Sequence, residues 1–224
     1  MFNEGYKLTK SKQLINHDLC YESMRLCKLL LTEKSALKNE TQALIALQFF
    51  TVARYPSRLN SHGSIVLLAD QDRSKWNQQL IKEGFYYLDE AKKPNIIHKY
   101  LIEATISSLH CSAESFQETP WALIVQLYDK LLELQPSPVT LLNKIVALSY
   151  SKGAATGLKA LELIEDSKEL SEHYLFFAAQ GDMLARLKKR SLATRAFKKA
   201  LNLAVNQKEK ELLANKINSL DHEN

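Results

Sequence analysis

Apolar residues recur along almost the whole chain at steps of three and four. Trp121, Ile124, Leu127, Tyr128, Leu131 and Leu134 form one such stripe, and Ala193, Ala196, Phe197, Ala200, Leu201 and Ala204 form another. Leu19, Leu26, Leu29 and Leu30 lie on a third. The segment holding Ala43, Leu44, Leu47, Phe50 and Val52 is apolar nearly all round, which predicts a helix at the centre of a core. The pattern predicts helices over residues 1–9, 17–32, 38–54, 71–92, 96–112, 120–134, 138–151, 155–166, 171–187, 191–204 and 207–220. Thr119-Pro120-Trp121 and Ser137-Pro138-Val139 each place a capping oxygen before a proline at the first helical position. Pro94-Asn95 and Lys152-Gly153 mark further breaks. One long stretch, 55–69, reads as non-helical, and a loop of that length in a compact helical protein is often functional.

Short connections between helices predict antiparallel pairs, and the pairs carry a tetratricopeptide-like pattern. With Gly181 at the position of closest helix approach, Leu184, Ala193, Phe197 and Ala200 fall on the following pattern positions. One repeat earlier, Ala147 and Tyr150 stand where Gly181 and Leu184 do, with a looser second helix over 156–166. One further back, Ile124, Tyr128, Leu131 and Pro136 match the second helix and the closing proline. The expected fold is therefore all-α. A helical part over 1–95 continues into degenerate repeats over 96–224 as one continuous domain. Such a stack offers a concave face to a partner.

Composition narrows the class. The 224 residues include 46% hydrophobic and 25% charged residues, ordinary globular values that exclude disorder. Six glycines and five prolines are too few for a sandwich or barrel rich in tight turns. No apolar run is long enough for a membrane span, and no basic-then-apolar leader opens the chain. The three cysteines, Cys20, Cys27 and Cys111, have no metal or disulfide spacing and read as buried small hydrophobes in a reducing cytoplasm. The net charge of +5 is mild. Seven cations and no acid between Arg186 and Lys199 read as a helix end and a solvated face, without the interleaved aromatics of a nucleic-acid surface.

Chemistry is sparsely signalled. The six histidines are scattered, with no zinc motif, and no phosphate-binding glycine loop or nucleophile elbow is present. Neither a cofactor, a metal nor an enzymatic activity is expected. The densest polar cluster is Asp70-Gln71-Asp72-Arg73-Ser74-Lys75-Trp76. In one reading Asp70 or Asp72 caps a helix, and Trp76 packs with Leu80 and Leu88. In the other, Asp70, Asp72, Arg73, Lys75 and Trp76 form a docking site, with Glu4, Tyr6, Arg54 and Arg58 as neighbours. Asp70 and Asp72 are two apart, a spacing that does not share a helix face, so an acid–base pair is disfavoured.

These residues resemble the C-terminal tetratricopeptide-like extension of certain bacterial extracytoplasmic-function (ECF) sigma factors. The resemblance runs through Phe2-Asn3-Glu4-Gly5-Tyr6, Asp18-Leu19-Cys20 with Glu22, Arg25 and Leu26, and Val66-Leu67-Leu68 leading into Asp70 to Ser74 with Trp76. It continues in Pro136-Ser137-Pro138-Val139 with Leu142, Asn143, Val146 and Ala147, and in Gly157-Leu158. It departs at Lys75 and Lys144, where arginine is expected, and at Ala154, where proline is expected. Lysine keeps the charge but lacks the bidentate fork.

The resemblance implies a cytoplasmic regulatory domain whose partners are sigma-factor domains or RNA polymerase. Promoter DNA would be reached only through sigma domains that this chain does not show. The alternative is a free-standing helical scaffold that binds a partner peptide in its concave face. Binding of a small signal by the long loop and the acids after it is compatible with the first role.

Overall fold

The computed structural model describes residues 17–32, 37–164, 170 and 172–222. Ten α-helices lie in these residues: α1 (His17–Leu30), α2 (Lys38–Ala53), α3 (Gln78–Lys92), α4 (Lys99–Ser112), α5 (Trp121–Leu134), α6 (Pro138–Ser151), α7 (Ala154–Glu162), α8 (Tyr174–Arg186), α9 (Arg190–Leu203) and α10 (Gln207–His222). The described residues form no strand, only an isolated antiparallel bridge between Leu59 and Ile65. The fold is an all-α stack of antiparallel helix pairs, tetratricopeptide-like, as the periodicity predicts. No helix among the described residues is long and apolar enough to cross a membrane. The helix expected over 1–9 lies outside the described residues.

The chain divides into two compact units, Met1–Pro120 and Trp121–Asn224. In the first unit α2 packs against α1, α3 and α4. Ten of its residues are buried, from Gln42 round to Ala53, so it has no solvent face over its second half. Burial all round demands partners for its polar side chains. Gln48 donates to Ser23 Oγ at 3.2 Å, and Thr51 returns its hydroxyl to the Leu47 carbonyl at 2.8 Å. Cys20 and Cys27 are buried beside it, and the Tyr55 hydroxyl meets Cys20 Sγ at 2.7 Å. α3 approaches through Gly84, where an added Cβ would stand 2.7 Å from the Phe50 ring.

Two expected boundaries move. α4 packs on α2 and α3, so it completes the first unit rather than opening the repeats, and the division falls at 120/121 instead of 95/96. The helix expected from 71 starts only at Gln78, because Asn77 is its cap and accepts from the Leu80 amide at 3.0 Å.

In the second unit α5 packs on α6, α6 on α7, α7 on α8, α8 on α9 and α9 on α10. Ser137 caps α6 before Pro138, as read from sequence. The α8–α9 pair closes through Gly181, whose added Cβ would stand 2.6 Å from the Phe197 ring. Ala193, Ala196 and Ala200 are buried, and Lys198 and Lys199 are exposed, Lys199 laying its ammonium 3.9 Å from the Phe177 ring of α8. The α6–α7 pair uses another device. Gly157 lies so close to Ser149 that a Cβ would sit 2.4 Å from the serine's own. The close approach therefore sits on α7 rather than at Ala147, which explains the loose pattern there. Among the seven cations from 186 to 199, Arg186 donates to Ser149 Oγ at 2.6 Å, lies 4.2 Å from the Tyr150 ring and pairs with Asp182 at 3.6 Å.

Gly181→Ala is expected to cost about 1–3 kcal/mol of stability, because an aromatic ring must leave its place. Hydrogen exchange in α8 and α9 should speed up accordingly. Adding Phe197→Leu should recover part of that loss, and the double-mutant cycle measured by urea unfolding checks the coupling.

Candidate functional site

The stretch 70–76 is not the first turn of a long helix. It forms two single 3-10 turns, Leu68–Asp70 and Arg73–Lys75, separated by extended backbone at Gln71 and Asp72. Asp72 caps the second turn, accepting from the Ser74 amide at 3.1 Å and its hydroxyl at 2.6 Å. These bonds, ahead of its ion pair with Lys75 at 3.4 Å, hold the Asp72 carboxyl below the usual carboxylate range.

The turns sort the cluster by side. Gln71 donates to the Val66 carbonyl at 3.1 Å. Arg73 donates through one guanidinium nitrogen to the His110 carbonyl at 2.6 Å and the Ala113 carbonyl at 2.8 Å. It thereby caps the C-terminal end of α4, where a cation is favoured. Its other terminal nitrogen is buried with no hydrogen-bond partner among the described residues. Its guanidinium lies 4.6 Å from the Trp76 ring. Trp76 is 3% exposed and donates its indole N–H to Ser57 Oγ at 2.7 Å. Asp70, Asp72 and Lys75 are exposed.

The docking set read from sequence is thus divided. Arg73 and Trp76 face inward and fasten the turn to the first unit, so Trp76 is not an anchor offered to a partner. It shares a buried cluster with Leu88, and Leu80 packs against that cluster, as the packing reading expected; Ile81 joins it too, although Trp76 precedes the helix instead of lying on it. Asp70, Asp72 and Lys75 remain at the surface. Glu4 and Tyr6 lie outside the described residues.

Arg54 and Arg58 line a cleft of about 210 Å³ with Thr51, Ile65, Val66, Leu67, Leu68 and Gln71. The long loop forms its wall: Asn60 accepts from the His62 and Ser64 amides, and the Val66 amide donates to the Arg58 carbonyl at 2.9 Å. Arg54 is partly buried, and burial pulls its guanidinium below the usual range. Arg54 and Arg73 together act on His110. Burial first, then these two cations, push the His110 imidazole down to about 3. Burial raises the Cys111 thiol to about 11. Sequence reading placed neither His110 nor Cys111 here. Their only signal is helical spacing on the stripe of α4 that faces α2.

Residues 1–92, which include the 70–76 turns, match a family of unknown function, DUF6596. The chain is 36% identical over 209 residues to an uncharacterized protein of Rhizobium meliloti (strain 1021), covering 93% of this chain and 49% of that protein. The chain therefore spans about half the length of the curated relative it matches. No solved structure matches it. Lys144, one of the departures noted above, pairs with Asp129 at 2.5 Å through its single ammonium. Among the described residues no group of three or more His, Cys, Asp or Glu side chains is placed to hold a metal ion.

Arg73→Ala is expected to destabilise the first unit by about 2–4 kcal/mol, since two charge-assisted bonds and the ring contact go together. Trp76→Phe, which keeps the ring in the core but loses the Ser57 bond, should cost about 1–2 kcal/mol. Urea unfolding followed by circular dichroism measures both.

His110 supplies a pH test. Its folded-state value lies below the usual 6.5, so on acidification the unfolded chain takes up a proton that the folded chain refuses. Its contribution is present in full above pH 6.5 and is lost as pH falls towards 3. Between pH 6.5 and 5 the loss should approach about 2 kcal/mol. His110→Gln should flatten the stability profile across that window, before the carboxylates titrate.

Proposed function

We propose that this chain is a regulatory interaction domain of an ECF-type sigma factor, acting in the cytoplasm on transcription initiation through contacts with its own sigma domains or RNA polymerase. The observation that carries the reading is the division of the 70–76 turns. Arg73, Gln71 and Trp76 hold them rigidly from behind, and Asp70, Asp72 and Lys75 stand on the outer side. A short charged turn fixed by internal bonds loses little entropy on docking, and its charges select a complementary partner. The resemblance to the sigma-factor extension rests most heavily on these same residues. The relative in Rhizobium meliloti is about twice as long as the matched region, which leaves room there for further domains.

Affinity purification of the tagged native protein from its source cells tests the reading. RNA polymerase subunits are expected to co-purify. Asp70→Lys with Asp72→Asn should cut their recovery at least tenfold while leaving the melting temperature within a few degrees. Recovery of the protein free of polymerase and of any sigma domain would overturn the reading and favour a free-standing scaffold.

A further inference from the structure

We propose that the cleft between α2 and the long loop is a binding site for a small organic carboxylate with a short apolar body, held by Arg54 and Arg58. This goes beyond the transcriptional reading and stands on the cleft alone. The lining is of two kinds. Arg54 supplies a guanidinium fork and Arg58 a second cation, and Ile65, Val66, Leu67 and Leu68 supply a continuous aliphatic wall. Among the described residues no acidic side chain lines the cleft. Arg54 makes no side-chain hydrogen bond or ion pair with any described residue, although it is partly buried beside a second cation, Arg73. A guanidinium in that setting favours an anion, and its planar fork matches a carboxylate through two parallel bonds.

Size decides among anions. The cleft, about 210 Å³, lies below the roughly 300–1,000 Å³ of pockets that take drug-sized ligands. A nucleotide is too large for it. An inorganic anion would leave the aliphatic wall facing water. A carboxylate with a tail of four to six carbons satisfies both walls, with roughly 0.8 kcal/mol of burial for each methylene as the gain over acetate.

Thermal unfolding of the full chain in the presence of acetate, butyrate and hexanoate, at constant ionic strength, tests the site. Hexanamide and sodium sulfate are the controls. Hexanoate is expected to raise the melting temperature saturably, by about 3–5 °C at ten times its dissociation constant. Butyrate should act at higher concentration, acetate weakly, and both controls not at all. Arg54→Gln should abolish the shift, and Arg54→Lys should weaken it tenfold or more. Should Arg54→Gln fail to fold, Arg58→Gln takes its place, with the loss read as a rise in the hexanoate concentration at half-shift. An equal shift with hexanamide means apolar binding without the arginines, and an equal shift with sulfate means a general anion effect. Either result, an absent hexanoate shift, or a shift unchanged in the arginine variants overturns the proposal.

Discussion

Both units depend on the same contact, an aromatic ring laid against a helix that lacks a Cβ. In the first unit Phe50 of α2 covers Gly84 of α3, and in the second Phe197 of α9 covers Gly181 of α8. Each ring is buried, and each glycine lets two helix backbones approach more closely than any other residue permits. The contact fixes the register of the pair as well as its spacing, because the ring fits only where the side chain is missing. The rest of each core gathers around it. Trp76, Ile81, Leu88 and Ala104 lie in the buried cluster with Phe50, and Met183, Leu184, Ala193 and Leu213 lie in the cluster with Phe197.

How far this was legible in sequence follows from which contacts are local. Gly181 and Phe197 are sixteen residues apart in one repeat, and the repeat pattern names both. Phe50 and Gly84 are separated by the long loop, and no pattern links them. The all-round apolar character of 43–52 did predict a central helix, since a helix without a polar face has nowhere to lie but inside. The repeat pattern counts 96–112 with the repeats, as the first helix of one that aligns only with an insertion. The packing of α4 on α2 is a tertiary choice that periodicity does not encode. His98 and His173 cap α4 and α8 with ring nitrogens, a role that capping statistics for Ser, Thr, Asp and Asn do not anticipate.

The 70–76 stretch shows where sequence reading stops. Its residue types fit a helix start and fit a docking surface, and the structure uses it as neither alone. The helix begins later, at the Asn77 cap, so these residues are free to alternate between inside and outside on extended and 3-10 backbone. Alternation makes one short segment both a bolt and a surface. The burial of Trp76 and the exposure of Lys75 are consequences of the same turn. A substitution at the bolt therefore disturbs any function of the surface by loosening it, and only the outward residues separate folding from docking.

The charges behind the turn obey one constraint. Arg54, Arg73, His110 and Cys111 influence one another where α4 ends against α2, and none of these four is an acid. Arg73 is compensated by the last carbonyls of α4, which carry the negative end of the helix dipole. His110 answers the two guanidiniums by staying neutral, and Cys111, its thiol raised by burial, supplies no thiolate at neutral pH. Among the described residues, compensation of the two guanidiniums therefore stops at Arg73. The Arg54 charge has to be met from the cleft, by water or by an anion. The cleft's aliphatic wall limits how much water can serve, so the same packing that buries α2 leaves its C-terminal arginine turned to whatever the long loop encloses.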